Sequence, residues 1–265
     1  MYDPASLTLP QVVPGEHDQN PIHFRMTQEE SPDFSAWRES GFGIHGMHSH
    51  LHDQQEMRKN MAVYYGMISL MDQYIGRILA HLDARGLAEN TLVVFTTDHG
   101  HLFGQHGMNA KGPFHYEDLV RLPFLVRCPG RVEAGSESDA LMSLVDMTPS
   151  FLAATGTQAD RGMSGIDQTP VWTGSQQSLR DHVIVENRHE PTTIHARTFV
   201  NQRYKLTVHY GRDEGELFDL QEDPKEIQNR WSDPSCAQLK GQLIQDLLHA
   251  ELGKEPLVMP RIAGA

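Results

Sequence analysis

The residues with the clearest chemical potential lie between positions 98 and 115. Asp98 and His99 follow the run Thr91-Leu-Val-Val-Phe-Thr-Thr97 directly, and Gly100 follows them. A carboxylate and an imidazole leaving the end of a strand can turn onto one cation, and a glycine beside them frees the backbone to allow it. The loop Gly100-His101-Leu102-Phe103-Gly104-Gln105-His106-Gly107 is glycine-rich enough to bring backbone close to a ligand. Lys111 comes next, and its ammonium is a compact point charge suited to an anion. His106 and His115 lie near enough in sequence to line the same pocket. The opposing reading is ordinary: Asp98 caps a turn, and His99, Lys111 and His115 are solvated surface groups.

Placing these residues requires elements with a recognisable pattern. From Gln55 to about Ala84, apolar residues at Tyr64, Ile68, Met71, Ile75, Ile78, Leu79 and Leu82 recur at steps of three and four. That spacing predicts a helix with one buried face, stopped by Gly86. The continuous apolar run 91–97 predicts a strand covered on both faces, as in a parallel sheet. In open α/β sheets, ligands bind at the carboxyl ends of such strands. A second strand is expected over 123–127. Thr148, Pro149 and Gly156 predict a helix with Thr148 as N-cap and Pro149 in its first position.

After Trp172 the pattern changes to short strand candidates at 182–187, 197–201, 205–210 and 216–220, separated by turns. A closing helix carries Leu239, Leu243, Ile244, Leu247, Leu248 and Leu252 on one expected face. The fold expectation is α/β: a core sheet flanked by helices over 1–175, then a small antiparallel α+β subdomain over 176–265. Residues 1–55 read as an irregular, proline-rich segment with histidines at 45, 48, 50 and 52, and its length implies that it wraps around other structure.

Bulk properties narrow the function. The 265 residues carry 22 basic and 35 acidic side chains, a net charge of −13, which argues against nucleic acid as a partner. No apolar run approaches the roughly 20 residues of a membrane span. No signal peptide is visible at the amino terminus, and the compartment is left open. Two cysteines, Cys128 and Cys236, make neither a disulfide framework nor a zinc cluster.

The chain closely resembles the sulfatases of the alkaline-phosphatase-like superfamily. The resemblance runs through Tyr65-Gly-Met-Ile-Ser-Leu-Met-Asp72, Gly76, Asn90-Thr-Leu-Val-Val-Phe-Thr-Thr-Asp98-His99-Gly100, Gly104-Gln-His106-Gly107, Lys111-Gly112, Tyr116-Glu117 and Arg121-Leu-Pro-Phe-Leu-Val-Arg-Cys-Pro-Gly130. Residues 2–10 and 216–229 extend it over nearly the whole chain. By position it implies that Asp98 and His99 are metal ligands, and that Lys111 binds the sulfate group and stabilises charge on the leaving oxygen. His106 and His115 stand as candidate substrate-pocket residues.

It also implies a divalent metal, Ca²⁺ first and Mn²⁺ as the alternative, because an imidazole at 99 suits a transition metal better than Ca²⁺. The implied substrate is a sulfated small molecule or glycan. The family's formylglycine, made from Cys or Ser in a Cys-x-Pro-Ser-Arg type motif, would belong to an upstream part: neither Cys128 nor Cys236 sits in such a motif. The paired acidic ligands and the lysine–histidine set expected near the family's amino terminus are likewise absent. The expectation is a sulfuric ester hydrolase whose isolated chain 1–265 is inactive and prone to self-association. The alternatives are a phosphonate or phosphate ester hydrolase of the same superfamily, or a non-catalytic fragment.

Overall fold

The computed structural model describes residues 1–31, 33–39, 53–160, 162–188 and 194–254. The histidines at 45, 48, 50 and 52 lie outside the described residues. Two short helices, α1 (Ile22–Met26) and α2 (Phe34–Glu39), precede the long α3 (Gln54–Ala84). Then come β1 (Val93–Phe95), β2 (Leu102–Phe103), β3 (Asn109–Ala110), α4 (Glu117–Val120) and β4 (Leu125–Arg127). Helices α5 (Met147–Ala154) and α6 (Thr169–Trp172) lead into β5 (His182–Arg188), β6 (His195–Asn201), β7 (Tyr204–His209) and β8 (Gly215–Asp219). Helix α7 (Ala237–Gly253) closes the described chain.

Helix α3 is where the sequence places it. Asp53 caps its start by accepting from Gln55 N, and Gly86 ends it at φ +65°. Its predicted buried face is a correction. Burial is confined to Met57, Met61 and Ala62 at the amino-terminal end, while Ile68, Met71 and Ile78 are 43%, 55% and 62% exposed. The stripe is genuine, but little lies opposite it among the described residues: Tyr64 packs on Phe103 and His101, ring centroids 4.5 and 5.7 Å away, and the same end of the helix meets the amino-terminal segment. There Tyr2 meets Tyr65 edge-on at 5.5 Å and bonds Ser69 Oγ at 2.8 Å, and Arg58 Nε donates to Leu7 O.

Strand β1 is a second correction. It pairs antiparallel with β4, Val94 opposite Val126, rather than lying inside a parallel ladder. Phe95 is 37% and Leu125 65% exposed, so the pair is not covered on both faces. The helix expected to begin at Thr148 begins at Met147 after Asp146, and Ser143 and Asp146 form a capping box on the preceding 3-10 turn.

The carboxyl-terminal strands match the alternation closely. β5-β6-β7-β8 is an antiparallel meander in chain order, with Thr198 opposite Thr207 and Leu206 opposite Leu217. Asn201 Oδ1 accepts from Arg203 N and Tyr204 N and so closes the β6–β7 turn. Adjacent residues of β8 serve opposite faces. Leu217 joins Phe199, Leu206, Cys236, Leu243 and Leu247 beneath α7, while Phe218 enters a cluster with Phe24, Trp37, Leu102, Met108, Phe114, Tyr116 and Leu119. The sheet is thus bonded by packing to both α7 and the 100–120 region. On α7 only Leu243 and Leu247 of the predicted face are buried; Ile244, Leu248 and Leu252 are 39%, 55% and 55% exposed.

Candidate functional site

The carboxyl end of β1 carries Asp98, His99 and Gly100. Gly100 N donates to Leu119 O at 2.9 Å, and a Cβ at this position would lie 1.9 Å from Asp118 O. Only glycine lets the strand end run this close to α4, so the glycine fixes where Asp98 and His99 emerge.

Asp98 Oδ1 accepts from His99 N at 2.9 Å and from Thr97 Oγ1 at 3.3 Å, and Oδ2 lies 3.4 Å from His99 Nε2. Desolvation would raise the Asp98 carboxyl, but hydrogen bonds led by the one from the His99 amide hold it below the usual range. His99 Nδ1 lies 2.8 Å from Gly100 O, a carbonyl that can only accept, so Nδ1 bears the proton. Nε2 is then a lone pair, and Lys111 Nζ donates to it at 2.8 Å. Lys111 follows Ala110, whose φ of 64° puts an alanine in the left-handed region at a cost of about 1 kcal/mol. Asp98, His99 and Lys111 therefore meet, 13 residues of chain notwithstanding, on an open surface.

His106 and His115 are placed differently: both are buried. His106 stacks on Tyr116 with ring centroids 3.6 Å apart, between Glu16 (3.5 Å) and Asp118 (3.6 Å). Burial alone would lower the His106 pKa, yet Asp118 and Glu16 raise it to about 9. Glu16, which burial would raise, is held down to about 2 by His106 and His17. His115 bonds Thr198 Oγ1 at 2.6 Å through Nδ1, and burial followed by Lys205 and His209 lowers it to about 3, so it is neutral.

The Glu16–His106 pair predicts a stability window. The native acid lies below its ordinary 4.5, so its contribution is present above that value and disappears as pH falls toward 2. The native imidazole lies above its ordinary 6.5, so its contribution is present below that value and disappears as pH rises through 9. The pair should add about 2–3 kcal/mol near pH 5.5 and lose most of it by about pH 9.5. Urea unfolding at the two pH values should show this difference, and Glu16→Gln should flatten it. An undiminished pH dependence in Glu16→Gln would assign it elsewhere.

Several structural groups around the site are not visible in local sequence. Glu16, His17 and Asn20 come from the irregular first segment, with His17 Nε2 2.8 Å from His106 O and Asn20 Nδ2 bonding Tyr116 Oη at 3.2 Å. Lys205 and Glu226 come from the far sheet and its following turn, and pair at 2.8 Å. Only residue-by-residue contact across long stretches of chain reveals them.

As a place for a cation, the Asp98–His99 pair offers one carboxylate oxygen donor and one imidazole lone pair, both reachable from solvent. Among the described residues no group of three or more His, Cys, Asp and Glu side chains is arranged to hold a metal ion. The donor set fits two ligands of a divalent metal, not a complete shell.

Family models settle the relationship. The sulfatase model matches residues 18–157, and the model for the carboxyl-terminal part of N-sulphoglucosamine sulphohydrolase matches residues 104–252. The chain belongs to the sulfatase family. An N-acetylglucosamine-6-O-sulfatase of Bacteroides thetaiotaomicron is 31% identical over 199 residues, covering 72% of this chain and 35% of that protein. The chain spans about a third of the length of the curated sulfatase relatives it matches.

Among solved structures, BT4656 in complex with its substrate D-glucosamine-2-N,6-O-disulfate is 29% identical with a TM-score of 0.69, covering 77% of this chain and 42% of that one. A phosphonate monoester hydrolase from Silicibacter pomeroyi is 24% identical with a TM-score of 0.81, covering 97% of this chain and 52% of that one. The fold is therefore the alkaline-phosphatase-like one of sulfatases, carrying a carboxyl-terminal antiparallel sheet. No described helix is long and apolar enough to cross a membrane.

Proposed function

We propose that this chain supplies one side of a metal-dependent site for sulfate-ester hydrolysis, with Asp98 and His99 as metal ligands and Lys111 as the sulfate-binding cation. The observation carrying this reading is the 2.8 Å contact between Lys111 Nζ and His99 Nε2 beside Asp98 at the carboxyl end of β1. A bound divalent metal, Ca²⁺ in the first instance or Mn²⁺, would polarise the sulfate oxygens. Asp98 stays ionised, so it brings negative charge to such a cation throughout the neutral range. His99 presents its Nε2 lone pair because Gly100 O holds the proton on Nδ1. Lys111 offers three donors that can pass from His99 to a sulfate oxygen and oppose charge growing on the leaving alkoxide.

The attacking group is not among these residues, since Cys128 and Cys236 are buried and outside a formylglycine motif. His106 and His115 are buried, which suits support of the chain around Lys111 better than contact with substrate. The division at 175/176 separates the site-bearing part from the sheet behind it. The substrate class is a sulfated sugar, in keeping with the relative named as an N-acetylglucosamine-6-O-sulfatase.

A second reading is favoured by one feature, the imidazole at 99 together with the likeness to a phosphonate monoester hydrolase. Turnover of 4-nitrophenyl sulfate against bis(4-nitrophenyl) phosphate by a polypeptide containing residues 1–265 and extended upstream separates the two. Sulfate hydrolysis should dominate; faster diester cleavage would transfer the chain to the second reading. Residues 1–265 alone should turn over neither.

The exposed face of α3 (Val63, Met67, Met71 and Ile78) and Leu125 on β4 leave an apolar surface that water disfavours. Residues 1–265 should therefore associate as concentration rises. Light scattering that stays monomeric across the accessible range would contradict this.

A further inference from the structure

We propose that the carboxyl-terminal sheet is a positioning element for Lys111, acting through a buried clamp in which Lys205 on β7 and Thr198 on β6 hold residues 111–117. The proposal rests on the reading of Lys111 as the sulfate-binding cation.

Lys205 is 1% exposed, an unusual place for an ammonium. Its Nζ donates to His115 O at 2.9 Å and lies 2.7 Å from Glu117 Oε1 and 2.8 Å from Glu226 Oε1. Glu226 completes the ring by accepting from Glu117 N at 2.6 Å through Oε2. Glu226 itself has φ 55°, a left-handed backbone in a non-glycine residue, which persists only where surrounding contacts over-determine it. On the next strand, Thr198 Oγ1 takes His115 Nδ1 at 2.6 Å and Thr207 Oγ1 at 2.8 Å. Four of these bonds end on His115 or Glu117, and the contacts to Glu226 and Thr207 hold the two clamping side chains in place.

Lys111 is thereby trapped between two anchors. On one side, β3 pairs with β2, Ala110 opposite Leu102. On the other, the clamp begins four residues later, a span of at most about 14 Å of extended chain. Pro113 fixes one φ within it, and Phe114 and Tyr116 are pinned in the cluster that Phe218 of β8 completes. A buried ion pair is a poor way to gain stability, because a well-packed apolar replacement often does as well. It is a good way to fix geometry. Burial pushes the Glu226 carboxyl up, and the Lys205 ammonium opposes that rise.

Hydrogen exchange followed by mass spectrometry on the 265-residue chain tests the clamp. In Lys205→Met, amides at 112–117 should exchange about tenfold faster, with those of β5 and α7 little changed. Thr198→Val removes the hydroxyl bonds to His115 and to Thr207 but leaves the Lys205 contacts, and should give a smaller acceleration at 112–117; it serves if Lys205→Met does not fold. Unchanged exchange at 112–117 in the folded variants would overturn the clamp. Equal acceleration throughout β5–β8 would also overturn it, reducing Lys205 to a packing residue.

The positioning claim is read from the His99 ring nitrogens by NMR. Loss of the Lys111 contact in Lys205→Met should shift Nε2, and an unmoved Nε2 would refute positioning. Failure of the sulfate reading is separate: Lys111→Ala would then leave sulfate turnover intact while the exchange results stand.

Discussion

Asp146→Ala should cost about 3–5 kcal/mol of folding stability, the range for stranding one partner of a buried ion pair. The Asp146 side chain is wholly buried, and five donors converge on it. Arg180 supplies two, one through Nε at 2.8 Å. Ile166 N donates at 2.9 Å, and Ser143 N and Gln168 Nε2 each at 3.0 Å. Burial would raise this carboxyl, but the Arg180 guanidinium and the backbone amides outweigh it and hold it low. Truncation leaves a largely buried guanidinium and three further donors without an acceptor, each a loss of about 1–3 kcal/mol before relaxation. Against a usual total of about 5–15 kcal/mol, such a loss unfolds much of the 143–180 region. Asp146→Asn keeps one acceptor and should cost roughly half as much. Urea titration of the two variants checks the ranking, and a cost below about 1 kcal/mol for Asp146→Ala would refute the assigned role.

The second large effect is kinetic. In a sulfate-hydrolysing polypeptide that contains residues 1–265, Lys111→Ala should lower kcat by about 10²–10³, the usual scale for losing one preorganised donor to a developing oxyanion. The fall should be concentrated in kcat, because the ammonium matters most when charge has gathered on the leaving oxygen. Lys111→Arg keeps the charge but replaces a compact ammonium by a planar fork, and should recover only part of the rate. Substrates with better leaving groups need less help at that oxygen, so the defect should shrink with 4-nitrophenyl sulfate relative to a sugar sulfate. A uniform rise in KM with kcat preserved would make Lys111 a binding residue only.

Strands β5 to β8 were legible because each shows apolar alternation bounded by turn residues, and an antiparallel meander needs little more. The meeting of Asp98, His99 and Lys111 was legible through the glycines that surround them and through the family resemblance. The start of α5 was not. The first helical N–H groups lack intrahelical partners, so Pro149 is tolerated in the third position as readily as the first, and the cap slid back to Asp146.

The α3 stripe reads as a buried face, but burial depends on what lies opposite, which periodicity cannot specify. His106 and His115 look like pocket residues in sequence because histidine spacing carries no information about depth. Their surroundings come from Glu16, Thr198 and Lys205, far away along the chain. The same distance hid Arg180, whose partner Asp146 lies 34 residues earlier.

The central claim is that Asp98 and His99 offer a cation two ligands on the face that Lys111 shares. Two protein donors with waters make a weak site, and paramagnetic line broadening by Mn²⁺ detects weak sites. Titrating Mn²⁺ into the 265-residue chain should broaden the Asp98, His99 and Lys111 signals before others, and Asp98→Ala should abolish that preference. Broadening that begins elsewhere, or that survives Asp98→Ala at His99, would contradict the account.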